Sequence, residues 1–401
     1  MDPPADAAAV ERAATTCVVG DVGGVYARPT KRRGRPHLLL IAPLVAACVV
    51  ACATPASPST EVTRDPTVSS SPGVSASPSP PDSIEPTPAP TAAPLAWQQR
   101  EATGPRARED HTWTANSDGT AAYLFGGRDG SMVMGDLWTY DLAADAWSAI
   151  EAPAAPPPRF GHEAVWVDGI GLVIFAGQSG PNFFNDLWAF DPETTTWREL
   201  PAGGDVPVAR YGTCAGIGPD GRLRISHGFT SDGTRFADTK AYDFGTATWT
   251  DETPGGDLPV SRCLHGCWWT ADGTFALFGG QTTGVTALDD HWLLNDDGWQ
   301  RVDGAAPPAR NLYARARLDG ATLVFGGQGL DGGRLGDAWL FRDGGADAMA
   351  LPVDGGGPPG RSGAEMVVDG TGGRVLLFGG LGEAGVLADV WQLTGDPLAG
   401  R

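Results

Sequence analysis

At 401 residues the chain has room for two or three domains, and its net charge of −20 speaks against a nucleic-acid partner, which requires a basic face. Fifty-seven glycines and 34 prolines beside only 19 % charged residues argue against long helices and fit short strands joined by tight turns.

In chain order, residues 1–30 carry Asp2, Asp6 and Glu11 and lack leader character, so they read as an extension upstream of the true start, near Val25. The basic cluster Lys31-Arg32-Arg33-Gly34-Arg35 then runs into an apolar stretch from Leu38 to about Ala53, broken by Pro43. That stretch is short of the roughly 20 apolar residues a stable span needs, and its layout is that of a secretory signal over 31–52. It ends twice in small residues and cysteine, Val45-Ala46-Ala47-Cys48 and Val49-Val50-Ala51-Cys52, which resembles a bacterial lipobox. Cys52 is the favoured lipidation site over Cys48, because a polar tail begins directly after it. An uncleaved signal anchor is the alternative. Two acyl chains on such a cysteine would hold the chain firmly on a membrane, so the expected location is the outer side of the cytoplasmic membrane. Residues 53–94 are almost wholly Pro, Ser, Thr and Ala, a composition that cannot bury enough surface to order and reads as an extended, disordered linker.

From residue 95 to 401 the sequence repeats. Six apolar runs end at Gly126-Gly127, Ala176-Gly177, His227-Gly228, Gly279-Gly280, Gly326-Gly327 and Gly379-Gly380, a period of (380 − 127)/5, about 51 residues. Before each run stands Asp-Gly, from Asp118-Gly119 to Asp369-Gly370, expected to form type I′ hairpin turns. After each run comes Asp-x-Trp (Asp136/Trp138, Asp186/Trp188, Asp290/Trp292, Asp337/Trp339, Asp389/Trp391), with Asp238/Lys240 in the third unit. A second tryptophan follows at 147, 197, 249 and 299, and both sets are expected to stack sheet on sheet. An arginine precedes every unit: Arg108, Arg159, Arg210, Arg262, Arg310 and Arg361. Four strands per unit, apolar on both faces, must stack radially, which gives an all-β, six-bladed propeller. The sixth unit lacks an outer strand, and Leu95-Ala96-Trp97 lies upstream at the right spacing to supply it.

Diglycine after an apolar strand, with aromatic residues in the third and fourth strands at this period, resembles the kelch-repeat β-propellers, including the galactose-oxidase-like type. The resemblance implies a ligand face on the side where the first strand starts and the second ends. Carried onto this sequence, that face receives the six arginines, Arg128, and the equivalent Gln178, Gln281 and Gln328; Tyr211 and Tyr313 join as departures from the repeat. Such a mouth would favour an anionic protein, peptide or glycan. The alternative role for the six arginines is to tie neighbouring blades through backbone carbonyls. His111, His162 and His265 share one repeat slot and are read as scaffold rather than metal ligands. No cofactor is expected. Cys263 and Cys267 lie four apart on one strand, roughly 13 Å and too far to bridge, so a disulfide would join Cys214 to one of them and staple units three and four. The expectation is a membrane-tethered, monomeric binding module. The second expectation is a carbohydrate-active enzyme such as a sialic-acid-type mutarotase or epimerase, since kelch propellers include enzymes.

Overall fold

The computed structural model describes residues 95–101, 103–353, 356–370 and 373–398. The upstream extension, the signal with Cys48 and Cys52, and the linker lie outside the described residues.

Among the described residues there are strands and turns but no helix. Six antiparallel sheets succeed one another, and backbone hydrogen bonds from each blade to the next run in a closed circle. Blade 1 consists of Thr112–Ala115, Ala121–Phe125, Leu137–Asp141 and Ala146–Ile150, and blades 2 to 5 repeat that order. Blade 3 gains a fifth, parallel strand, Gly203–Gly204, on its outer edge Thr248–Asp251. Blade 6 takes its inner three strands from Glu365–Val368, Val375–Phe378 and Val390–Thr394, and its outer strand is Ala96–Arg100, with Trp97 opposite Leu393. The expected closure by the N-terminal strand is therefore present.

The core lies between blades. Four of the outer-strand tryptophans reach back to the phenylalanine that ends the second strand of the preceding blade, while Trp299 meets His227, just past Ser226 at the end of that strand, at 6.3 Å. Trp147 meets Phe378 at 5.1 Å, Trp197 meets Phe125 at 5.2 Å, Trp249 meets Phe175 at 5.1 Å and Trp97 meets Phe325 at 5.3 Å. Blade 5 has no outer tryptophan, and Phe341 takes over against Phe278 at 5.0 Å. The tryptophans of Asp-x-Trp do something else. Trp138, Trp188, Trp292, Trp339 and Trp391 are only half-buried, and each donates its indole N–H to the aspartate two residues before it, at 2.6 to 2.8 Å. Nor are the Asp-Gly turns type I′. Gly119, Gly169, Gly221, Gly273 and Gly320 have positive φ, but none of the preceding aspartates does, and type I′ requires both.

The diglycine has a specific task. Gly127, at φ 97°, donates its N–H to the Arg159 carbonyl of the next blade at 2.9 Å, and the bond recurs at every junction, ending with Gly380 to Arg108. A Cβ on Gly127 would lie 2.8 Å from the Cβ of His111, so neither the backbone conformation nor the space admits a side chain.

Candidate ligand-binding face and axial channel

The arginine of each unit stands four positions before the start of the inner strand and is buried. Arg108, Arg159, Arg210, Arg262 and Arg310 are 0 % exposed and Arg361 is 1 %. Each guanidinium grips the aspartate of Asp-x-Trp in its own blade through two parallel bonds, as Arg262 grips Asp290 at 2.6 and 2.6 Å. Each also donates to the carbonyl of the first residue in the Gly-Gly slot, from Arg108 to Gly126 at 2.8 Å through Arg361 to Gly379. The six arginines are therefore not ligand contacts. Their charges are spent inside single blades, and it is their main chain, not their guanidinium, that ties neighbours. Burial alone would raise the Asp290 carboxyl; the Arg262 hydrogen bonds and charge, with the Trp292 N–H, outweigh it and hold the group below the usual carboxylate range. Asp136, Asp186, Asp337 and Asp389 are lowered in the same way.

Two residues beyond each arginine the chain turns sharply with positive φ, at Asp110, Gly161, Gly212, Leu264, Leu312 and Gly363. The N–H of each bonds the carbonyl of the equivalent residue in the preceding blade, at 2.8 to 3.1 Å, and the sixth bond returns from Asp110 to Gly363. This closed ring of six backbone hydrogen bonds forms a neck in the axial channel. Gly161 is required there because its Cβ would fall 1.9 Å from the Tyr211 ring.

Outside the neck lies the mouth. The residue after each arginine pairs with the residue after each diglycine: Glu109 with Arg128, Phe160 with Gln178, Tyr211 with Phe229, Cys263 with Gln281, Asn311 with Gln328, and Ser362 with Leu381. Arg128 is where the sequence places it, but its charge is shared by Asp110 at 3.0 Å and Glu109 at 3.3 Å, and it lies over the Phe160 ring at 4.5 Å. Burial works against the Arg128 cation, yet Asp110 and the other acidic neighbours outweigh it and hold it firmly protonated. Burial and Asp110 push Glu109 up to about 7, against the pull of Arg128 and Arg334. The glutamine side chains are already engaged: Gln178 on the Gly180 carbonyl and Gln328 on that of Gly332, within their own loops, and Gln281 on Cys263 Sγ of the segment it pairs with. Tyr211 sits in the mouth wall and donates to Asp110 at 3.2 Å. Tyr313 is not a mouth residue. Buried below the neck, it donates to the Phe278 carbonyl at 2.8 Å and accepts from the Gly266 N–H at 2.9 Å, joining blades 4 and 5.

Two mouth residues were missed from sequence. One position in the third-strand approach reads Val133, Phe183, Arg235, Ala287, Arg334 and Val386 around the ring. Arg235 and Arg334 thus replace apolar residues, which is the irregularity that marks them. Arg235 lies 5.6 Å from the Phe229 ring and donates to Thr283 at 3.0 Å; Arg334 donates to the Gly332 carbonyl at 3.1 Å. Neither has a carboxylate within ion-pair distance among the described residues. Beside them Phe160, Tyr211, Phe229 and Phe183 form an aromatic arc on blades 2 and 3.

The histidines of the shared slot are buried, and burial keeps His111, His162 and His265 well below their ordinary range, as neutral rings. Cys214 bonds to Cys267 across blades 3 and 4, with Cα atoms 5.8 Å apart, and Cys263 is free and buried. The staple between those blades is as expected, and the choice between the two partners falls on Cys267.

Six sheets closed around a necked axis, with an aromatic and cationic mouth, define a β-propeller. The KLHDC2/KLHL20/DRC7 Kelch-repeats domain matches residues 91–280, and with the six blades this places the chain among the kelch-repeat β-propellers. No curated protein matches it. Kelch propellers typically serve as protein-interaction modules.

Proposed function

We propose that the chain is a binding module that holds an anionic segment of a partner at the mouth, with Arg235 and Arg334 as its charged contacts and the Phe160–Tyr211–Phe229 arc as its apolar floor. The observation that carries this is the pair of mouth arginines lacking a carboxylate partner, on a protein whose six repeat arginines are spent internally. An unpaired guanidinium beside an aromatic surface suits a carboxylate on a protein, peptide or glycan. The setting is outside the cytoplasmic membrane, on a lipid anchor at Cys52 and a Pro/Ser/Thr stalk. The leader-like residues 31–52 support it, as does a disulfide, a bond that persists in oxidising compartments.

Crosslinking in intact cell envelopes, followed by pull-down, tests the mouth. The double variant Arg235→Glu/Arg334→Glu is expected to lose the captured partners while melting like the parent. Retention of the same partners would remove the mouth from consideration. Labelling with a fatty acid tests the anchor, and the Cys52→Ser variant is expected to stay unlabelled.

A further inference from the structure

Below the neck, the inner strands of blades 2, 5 and 6 turn three charged side chains into the channel: Glu163, Arg315 and Glu365. They line both the cavity beneath the neck and a vestibule of about 450 Å³ that opens toward the opposite face. Charged residues on inner strands are expensive unless they are paired. Arg315 is spent: it donates to Glu163 at 3.0 Å and to the Cys267 carbonyl at 3.1 Å. Glu365 has no hydrogen-bond partner among the described residues, so the three groups carry one uncompensated negative charge when ionised.

The same cavity holds further unanswered polar atoms. Asp110, only 5 % exposed, lines it and leaves Oδ1 without a partner, and both ring nitrogens of buried His111 and His265 are likewise unpaired. Buried polar atoms are normally hydrogen-bonded, and a neutral imidazole has one acceptor nitrogen and one N–H, so Asp110 Oδ1 and one nitrogen of each ring call for a donor. Beyond the charged trio the vestibule wall includes Trp268, Trp269, Ile217 and Met366 beside Thr112, Thr114, Thr322 and Arg317, the last paired with Asp343. An aromatic and aliphatic wall suits an alkyl body carrying a cationic head better than a hydrated metal ion.

We infer that the channel between the neck and the vestibule is a binding site for a small primary ammonium ion, with the Glu365 carboxylate as its counter-charge. The three ammonium N–H donors meet the open acceptors of Glu365, Asp110 and the imidazoles. The organic body lies in the vestibule. This site lies on the other side of the neck from the mouth and shares with it the Asp110 carboxylate, whose Oδ2 is held by Arg128 and Tyr211.

The charge balance dictates a proton linkage. Arg315 from blade 5, Glu163 from blade 2 and Asp110 from blade 1 face Glu365, with the neutral rings of His111, His162 and His265 around them. Burial, opposed by Arg315 and reinforced by Glu163 and Asp110, pushes Glu365 up to about 8. The empty site therefore holds a proton at neutral pH, and an incoming ammonium displaces it. Affinity should rise about tenfold per pH unit up to about 8 and then level off.

Isothermal titration of the full chain with n-butylammonium, in two buffers of different ionisation enthalpy, tests this. The expected result is binding with close to one proton released per ligand at neutral pH, and no heat from n-butanol or potassium. Glu365→Gln is expected to weaken binding at least tenfold and to abolish the proton release. Glu163→Gln provides an independent check, since it frees Arg315 to neutralise Glu365 and should weaken binding comparably. Equal binding to the parent and Glu365→Gln, or no binding of butylammonium to the parent, overturns the inference.

Discussion

Replacing Asp290 by alanine would strand the Arg262 guanidinium inside blade 4. The side chain of Arg262 has no solvent exposure and that of Asp290 only 14 %. The substitution removes two bonds of 2.6 Å and leaves the cation with the Gly279 and Val260 carbonyls alone. Breaking one side of a buried pair costs about 3–5 kcal/mol. For a domain of roughly 300 residues that corresponds to a drop of about 5–8 °C in melting temperature. Substituting both partners, Arg262→Met with Asp290→Leu, removes the stranded charge and should recover much of the loss. Asp129→Ala breaks the pair with Arg106, which is 56 % exposed, and should cost less than about 1 kcal/mol. Circular dichroism melting of the four proteins measures all three effects. If Asp290→Ala melts within about 1 °C of the parent, the clamp is not a buried charge and the account of the six arginines fails.

Trp97→Ala empties the seat of the closing strand against Phe325 and should cost about 3–5 kcal/mol, read by the same melting experiment. Reducing Cys214–Cys267, which closes a separation of 53 residues, should destabilise by roughly 4 kcal/mol on the chain-entropy model; melting with and without reductant measures it. Because the folded Glu365 pKa lies above that of an unfolded glutamate, its contribution is full below the unfolded value and is lost as pH rises through about 8. Glu365→Gln should therefore melt higher than the parent above pH 8, with the gain vanishing in mild acid. The clamp aspartates have the opposite sign: their folded pKa values lie below the unfolded ones, so their contribution is present at neutral pH and is lost as acid titrates them. A melting series from neutral to strongly acidic pH should show that loss, and a flat series contradicts it.

The propeller was legible because its landmarks recur in register from unit to unit, and the missing outer strand of the last blade pointed directly to Trp97. Their division of labour was not legible. Arginine, aspartate and the Asp-x-Trp tryptophan form one buried clamp, but the arginine and aspartate stand 27 or 28 residues apart, and no local pattern says that they meet. Arginines therefore looked available for a ligand when burial had already used them. The binding candidates lay in the exceptions to the repeat, where Arg235 and Arg334 replace apolar residues. The channel cluster was further out of reach, because Glu163 and Arg315 are 152 positions apart and become neighbours only when the circle closes.

The six-membered peptide ring at the neck makes a hoop. A row of stacked sheets has two ends from which to fray, but a hoop has none, so parting it requires neighbouring blades to separate together. Its bore is set by main-chain geometry and not by any side chain. Changes at Asp110, Leu264 or Leu312 would redecorate the ring without breaking its backbone hydrogen bonds.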